Sequence, residues 1–196
     1  MTEKGMTFTG ESIRAMLEGR KTVTRRLAGL EKINDMPDLW RDPFFCEDTV
    51  YWNFWQRYTG DVLSAKPCYQ VGDLVYARET WALGGLHQPL YRATDENEML
   101  VKHGKWKSAM FMFKKYARIW RKIVGARPER LQEISWDDIK AEGIECIRPI
   151  ATQWDMRQFQ ALWDSTNPKH PWDRNEWVWR YEMKEIKEVH AACGED

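Results

Sequence analysis

Hydrophobic positions recur along the chain with two periods, which predict a mixture of short helices and short strands. Apolar residues at helical spacing, bounded by capping residues, predict three helices, over residues 9–18, 135–143 and 152–167. Alternating segments predict strands over residues 71–81, 90–94, 116–126 and 176–187. A turn is expected at Pro128. Few helices among many short strands favour an α+β fold, a small β-barrel with flanking helices.

The strand predicted over 71–81 has one apolar face that carries a charge. Alternation places Val75, Ala77, Glu79 and Trp81 on the same side. A carboxylate that points inward needs a cationic partner, so we expect Glu79 to form a salt bridge to an arginine. An acid/base role for Glu79 is the alternative.

Residues 31–68 show no clean period but are rich in proline and in aromatic residues. Flexible linkers are rarely this aromatic, so the segment is interpreted as an insertion that packs on the core. A length of 196 residues then fits one domain over residues 1–196.

Composition excludes several classes of protein. Thirty basic and thirty acidic residues cancel, which argues against a general polycation. Between Lys102 and Arg130, however, ten basic residues face one acid, and such a stripe is typical either of a phosphate-backbone contact or of a solvated face. Four separated cysteines and no long apolar run favour a cytoplasmic protein with free thiols, no membrane span and neither metal nor other cofactor.

The segment from Gly19 to Arg26 concentrates chemistry, because four cations and two hydroxyls lie within eight residues. Neighbouring like charge should lower the pKa of Lys21, so that a neutral amine could activate the Thr24 hydroxyl or a water molecule. An ordinary basic surface loop is the alternative. Glu142, in the last turn of a predicted helix, should have a raised pKa and competes with Glu79 for the acid/base role.

Two of these segments resemble the ASCH domain proteins of the PUA-like superfamily, especially long members carried by phages and prophages. They are Gly19-Arg20-Lys21-Thr22-Val23-Thr24-Arg25-Arg26 and Gly72-Asp73-Leu74-Val75-Tyr76-Ala77-Arg78-Glu79-Thr80-Trp81. Three later stretches, at residues 129–135, 141–144 and 162–179, fit the same pattern. The resemblance implies a PUA-like barrel with a cleft that faces RNA or a modified base.

Short members of that family are amidohydrolases that remove the acetyl group from N4-acetylcytidine. The resemblance therefore implies catalytic roles for Lys21, Thr24 and Glu142: activating base, nucleophile or water-positioning group, and proton carrier. Candidate substrate-binding residues are Arg26, Glu79, Trp81 and Arg118.

Geometry sets a condition on this interpretation. In a straight strand, residues three apart point to opposite faces, so Lys21 and Thr24 can share a site only if the chain bends between them.

Three functions remain open from the sequence. The first is hydrolysis of an acyl group on the exocyclic amine of a modified cytosine nucleoside. The second is an RNA-binding ASCH module, with or without ribonuclease activity, that uses the basic stripe over 102–130. The third is a phage protein that binds a host protein through the aromatic insertion. The oligomeric state is not predicted.

Overall fold

The computed structural model describes residues 2–47, 50–85, 87–95, 105–146 and 152–186. Its strands are β1 (Glu3–Thr7), β2 (Val23–Arg26), β3 (Phe44–Cys46), β4 (Tyr51–Trp55), β5 (Val62–Ala65), β6 (Leu74–Arg78), β7 (Trp81–Leu83), β8 (Pro89–Tyr91), β9 (Trp120–Arg130) and β10 (Trp177–Glu185). Its helices are α1 (Gly10–Leu17), α2 (Glu31–Asn34), α3 (Trp136–Ala141) and α4 (Gln153–Thr166).

Five strands form the main sheet, in the order β1-β6-β9-β10-β2. β1 runs parallel to β6 and the remaining neighbours are antiparallel. The predicted α+β class is confirmed, with one correction: the sheet is not closed into a barrel, because β1 and β2 are its two edges. A side chain spans the gap instead. Arg26 on β2 donates to the carbonyl of Thr7 on β1 at 2.7 Å, and its guanidinium lies 4.9 Å from the Phe8 ring.

Each face of the sheet packs on its own apolar cluster. Trp179 and Tyr181 of β10 are fully buried in the larger cluster together with Ile13 and Met16 of α1. Val178, which points the other way, joins a smaller cluster with residues of α3 and α4. The helices therefore cover opposite faces of the same sheet, and α1 and α3 both end close to β2.

The three predicted helices are confirmed, with the expected caps. Thr9 accepts from the backbone N–H of Ser12 at 3.2 Å, and Ser135 accepts from that of Asp138 at 3.1 Å. Of the predicted strands, 71–81 divides into β6 and β7, and 90–94 corresponds to β8. The last predicted strand is β10; its expected end at Lys187 lies outside the described residues.

The turn predicted at Pro128 is wrong, because β9 continues through it to Arg130. The N–H of Leu131 donates to the carbonyl of Glu176, just before β10. In an antiparallel pair every second residue bonds to the partner strand, so Pro128, opposite Trp179, falls at a position that does not bond to β10. On the other side, β6 pairs with β9 only as far as Lys122. The missing proline N–H therefore interrupts no ladder bond.

The segment over 31–68 contains α2 and a three-stranded sheet in the order β3-β4-β5. The sequence concealed these strands, since aromatic residues occupy both faces of β4. Phe54 is fully buried in the larger cluster, whereas Tyr51 and Trp55 are exposed. Cys46, Cys68 and Cys146 are free thiols, and Cys193 lies outside the described residues. Within the described ranges, no helix combines the length and apolar character that crossing a membrane requires.

Candidate functional site

A cavity of about 340 Å³ opens at the gap between the two sheet edges, and we call it the Lys21 cavity. Its walls come from the end of β1 and the start of α1, from β2, from the end of α3 and from α4. Lining residues include Thr7, Phe8, Ser12, Lys21, Thr24, Arg25, Arg26, Glu142, Phe159, Leu162, Trp163 and Asn167. The structure thus brings together the three residues predicted as catalytic, with Arg26 beside them.

Lys21 and Glu142 form a buried ion pair on the cavity wall. The Lys21 Nζ lies 2.6 Å from Glu142 Oε2 and 2.8 Å from the Glu142 backbone carbonyl. The two side chains are only 4% and 6% exposed. A short, buried contact of this kind lets a proton pass between the amine and the carboxylate.

The end of α1 places Lys21. Gly19, with φ +74°, ends the helix in the left-handed conformation, and the N–H groups of Arg20 and Lys21 both donate to the carbonyl of Ala15, at 2.8 and 3.0 Å. The chain turns back over its own last helical turn. Lys21 therefore points toward α3 instead of continuing away from the helix.

The end of α3 places Glu142 by the same device. Gly143, with φ +94°, donates to the carbonyl of Lys140, and Ile144 donates to that of Ile139. Glycine is required here for space as well as for conformation. A Cβ on Gly143 would come within 2.7 Å of the Ala15 Cβ and 3.1 Å of the Lys21 Cβ.

Thr24 meets the geometric condition set by the sequence. Lys21 lies in the turn before β2, which begins at Val23, whereas Thr24 lies within the strand. The two residues therefore do not belong to one straight strand. Thr24, Arg25 and Arg26, three consecutive residues of this edge strand, all line the cavity. Thr24 is buried on the cavity wall, and its hydroxyl has no hydrogen-bond partner among the residues that the structure describes.

Burial lowers the pKa of the Lys21 amine, because the charged form loses its water. Glu142 opposes this shift, and Arg26 and Arg25 add smaller contributions that lower the pKa further. The predicted direction agrees with the structure, but the predicted main cause, like charge, is secondary. Arg20 is turned away, toward Glu18 and the carbonyl of Gly143.

Arg25 was not predicted as a site residue, yet it holds the carboxylates together. It donates to Glu129 at 2.7 Å, to Asp138 at 2.6 Å and to Glu142 Oε1 at 3.0 Å. Burial acts to lower the pKa of Arg25, but the charges of Glu142, Glu129 and Asp138 together raise it, so Arg25 stays a cation. Within the basic segment, Arg25 gave no signal that set it apart from Arg20 or Arg26.

The wall formed by α4 was also missed. Phe159, Leu162, Trp163 and Asn167 recur at helical spacing on the face that lines the Lys21 cavity. Helical periodicity assigns such residues to a core, and Phe159 and Trp163 do pack in the smaller cluster. Only the packing of α4 against the edge of the sheet shows that the same face also borders the cavity.

Three predicted substrate-binding residues lie elsewhere. Arg118 donates to both oxygens of Glu79 at 2.8 Å, which is the salt bridge expected from the sequence. Glu79 borders a separate cavity of about 300 Å³ beside Arg14 and Arg92. Trp81 is buried against Tyr116. Glu79, Trp81 and Arg118 are therefore not brought to the Lys21 cavity.

Part of the predicted basic stripe is engaged within the protein. Arg118 contacts Glu79, and three other arginines of the stripe contact protein acceptors: Arg121 the carbonyl of Met16, Arg127 Glu129, and Arg130 Asp38. Lys102 lies outside the described residues. Binding of RNA along one continuous face of the stripe stays a prediction.

Comparison with known proteins gives one structural neighbour. No family model and no curated protein matches the chain. The chain is similar to the solved ASCH domain from Lactobacillus crispatus JV V101, with 11% identity, a TM-score of 0.43 and coverage of 94% of this chain and 79% of the other. The neighbour carries the family designation that the sequence motifs suggested.

Proposed function

We propose that the protein is an amidohydrolase that removes an acyl group from the exocyclic amine of a modified cytosine nucleoside, such as N4-acetylcytidine. The observation that carries the proposal is the buried contact of 2.6 Å between the Lys21 amine and the Glu142 carboxylate. It lines the same cavity as the Thr24 hydroxyl, which has no hydrogen-bond partner among the described residues. A base, a nucleophile and a proton carrier are the groups that amide hydrolysis requires.

The geometry supports a sequence of proton transfers. Lys21 in its neutral form accepts a proton from the nucleophile, which is either the Thr24 hydroxyl or a water molecule that Thr24 positions. The oxygen of that nucleophile attacks the acyl carbon at the same time. The proton passes to Glu142 and then to the exocyclic nitrogen, so that the C–N bond breaks and a neutral amine leaves. If Thr24 itself attacks, a water molecule then hydrolyses the acyl ester and restores the hydroxyl.

Arg26 and the aromatic residues supply binding. The buried Nε of Arg26 has no partner among the residues that the structure describes, so this donor is available to a negatively charged acyl oxygen as the tetrahedral intermediate forms. Phe8, Phe159 and Trp163 give the cavity apolar walls suited to a planar ring. A volume of about 340 Å³ lies within the range of small-molecule sites.

The test is release of cytidine from N4-acetylcytidine by the purified protein. We expect turnover by the wild type and a loss of roughly 10²–10⁴-fold in kcat for Lys21→Ala and for Thr24→Ala, because each removes a group that acts in proton transfer or attack. Thr22→Ala and Lys32→Ala are matched controls, since both residues are exposed and neither lines the cavity.

The controls should keep wild-type kcat, and all four variants should unfold cooperatively. Absence of cytidine release from a panel of N4-acyl cytidines would end the proposal. So would a Lys21→Ala variant that turns over at the wild-type rate.

A further inference from the structure

Six charged side chains form a buried network behind the Lys21 cavity. The cations are Lys21, Arg25 and Arg180, and the anions are Glu129, Asp138 and Glu142. Three positive and three negative charges balance, as buried ionisable groups must. Arg25 is the centre of this network, because its guanidinium contacts all three carboxylates.

The contacts of Arg25 leave it no freedom. Its Nε faces Glu129 of β9, its Nη2 faces Asp138 of α3 and its Nη1 faces Glu142 at the end of α3. The side chain is 1% exposed. Asp138 is fixed in turn by Arg180, which donates to both of its oxygens at 2.6 and 2.8 Å.

The two oxygens of Glu142 are thereby divided between two cations. Oε1 accepts from Arg25 at 3.0 Å, and Oε2 accepts from Lys21 at 2.6 Å. A carboxylate held by one oxygen cannot rotate without losing that bond, so the other oxygen keeps one direction. A planar guanidinium holds its diverging donors in fixed directions, whereas the three donors of an ammonium group rotate on a flexible stem.

We infer that Arg25 is a positioning residue, which fixes Glu142 so that one carboxylate oxygen stays on the Lys21 amine. The inference rests on the proposed function for the chemical role of the pair, but the placement of the pair can be measured without turnover.

The charges that face the Lys21 amine come from several elements. Glu142 and Asp138 lie on α3, Arg25 and Arg26 on β2, Glu129 on β9 and Arg180 on β10; Arg20 lies against the carbonyl of Gly143. Among the cavity-lining residues of α4, none is charged. Loss of Arg25 has two opposite effects on the Lys21 amine: less repulsion favours its protonated form, and a Glu142 that is no longer fixed favours its neutral form. Glu142 affects the pKa of Lys21 more strongly than Arg25 does, so the second effect should prevail.

The test uses a charge-balanced pair of substitutions, Arg25→Gln with Glu129→Gln, because Arg25→Gln alone leaves buried carboxylates uncompensated. Lysine labelled with ¹³C at Cε reports the titration of Lys21, assigned with Lys21→Arg. We expect the Lys21 midpoint to fall in the double variant, because Glu142 is no longer held on the amine. The rising limb of the kcat profile should move to lower pH with it, with kcat about 10²-fold lower and KM nearly unchanged.

Arg25→Lys is the second variant, since it keeps the charge and loses the fork. Its Lys21 midpoint should also fall, because the repulsion is kept while Glu142 is released, and kcat should fall with it. An unchanged midpoint and an unchanged pH profile in a folded double variant would overturn the inference and leave Arg25 a purely structural residue. Absence of turnover in the wild type would reject the proposed function alone, because the titration of Lys21 needs no substrate.

Discussion

Two of the glutamates that the protein buries against cations, Glu79 and Glu142, differ in the chemistry that their pairs allow. Glu79 meets Arg118, whose guanidinium occupies both carboxylate oxygens at 2.8 Å. Glu142 meets Lys21 with one oxygen and Arg25 with the other. An arginine keeps its proton at any pH at which proteins fold, whereas burial brings the pKa of a lysine down toward the working range.

The comparison separates a structural pair from one that can exchange protons. Both glutamates have a cation within hydrogen-bond distance, so burial and charge alone do not distinguish them. What distinguishes them is the cation and its surroundings: Lys21 lines a cavity together with Thr24, whereas Arg118 is held by Glu79, Thr94 and the Tyr91 ring. Of the two glutamates proposed for the acid/base role, Glu142 contacts Lys21 and Glu79 contacts Arg118, and the role itself stays a prediction.

The largest difference between the two pairs is expected when each glutamate is replaced by glutamine. Glu142→Gln removes the proton carrier, so we expect kcat for N4-acetylcytidine to fall by roughly 10²–10⁴-fold. Glu79→Gln leaves Arg118 without its counter-charge, so we expect near-normal kcat but a free energy of unfolding lower by about 2 kcal/mol. Steady-state kinetics and urea unfolding measure the two outcomes.

Equal kinetic losses in the two variants would contradict the separation of roles. Arg118→Lys offers a control, because it preserves the charge beside Glu79 and should affect stability more than turnover.

A second, smaller effect is expected from the glycine that ends α3. Gly143→Ala must adopt φ +94° and push against Ala15 and Lys21, whereas Gly72→Ala must adopt φ +95° with nothing within 4 Å. The backbone strain should cost about 1–2 kcal/mol of stability in both variants. Only Gly143→Ala should lose a further 1–3 kcal/mol, roughly, from the steric contacts, and only this variant should lose turnover.

Thermal unfolding and kinetics of the two glycine variants, measured side by side, separate strain from displacement of Lys21. If Gly72→Ala lost turnover to the same extent, the contact with Lys21 would not be the cause.

The smallest effect concerns a third carboxylate, Asp73, which lies outside both pairs. Burial opposes its ionisation, but bonds from the N–H of Gln70, from Lys4 and from Thr2 prevail and hold the pKa of Asp73 at about 2. A folded-state pKa below the unfolded value of about 3.9 means stabilisation that is present above roughly pH 4 and disappears as the pH falls toward 2.

Asp73→Asn should therefore lower the free energy of unfolding by about 1–2 kcal/mol near pH 6, and the difference from the wild type should shrink between about pH 4 and pH 2. Urea unfolding across this range measures it. A difference that stayed constant with pH would show that the charge of Asp73 contributes nothing.

Short sequence signals predicted where the helices beside the site begin and end. Thr9, Ser135 and Thr152 fix where the helices start, and Gly19 and Gly143 fix where two of them end. These glycines mark the turns beside Lys21 and Glu142, but the catalytic roles of the two residues were implied by the family resemblance, and the choice between Glu142 and Glu79 stayed open. Capping depends on a few consecutive residues, so helix ends can be predicted from the sequence without knowledge of the fold.

What depended on contacts distant in sequence could not be predicted. Arg25 gains its role from Glu129 and Asp138, which are more than one hundred positions away. Pro128 is tolerated only because no strand bonds to it. The open sheet likewise follows from strand order, since β1 and β2 become margins through pairings made far along the chain.

The gap between those margins has a mechanical consequence. Phe8 follows one edge strand and Thr24 belongs to the other, and both border the Lys21 cavity. Among the described residues, Arg26 makes the single side-chain hydrogen bond from β2 to β1. A molecule that fills the cavity contacts both edge strands at once, so it holds the two edges of the sheet together. Its binding free energy therefore also stabilises the sheet against separation of these edges.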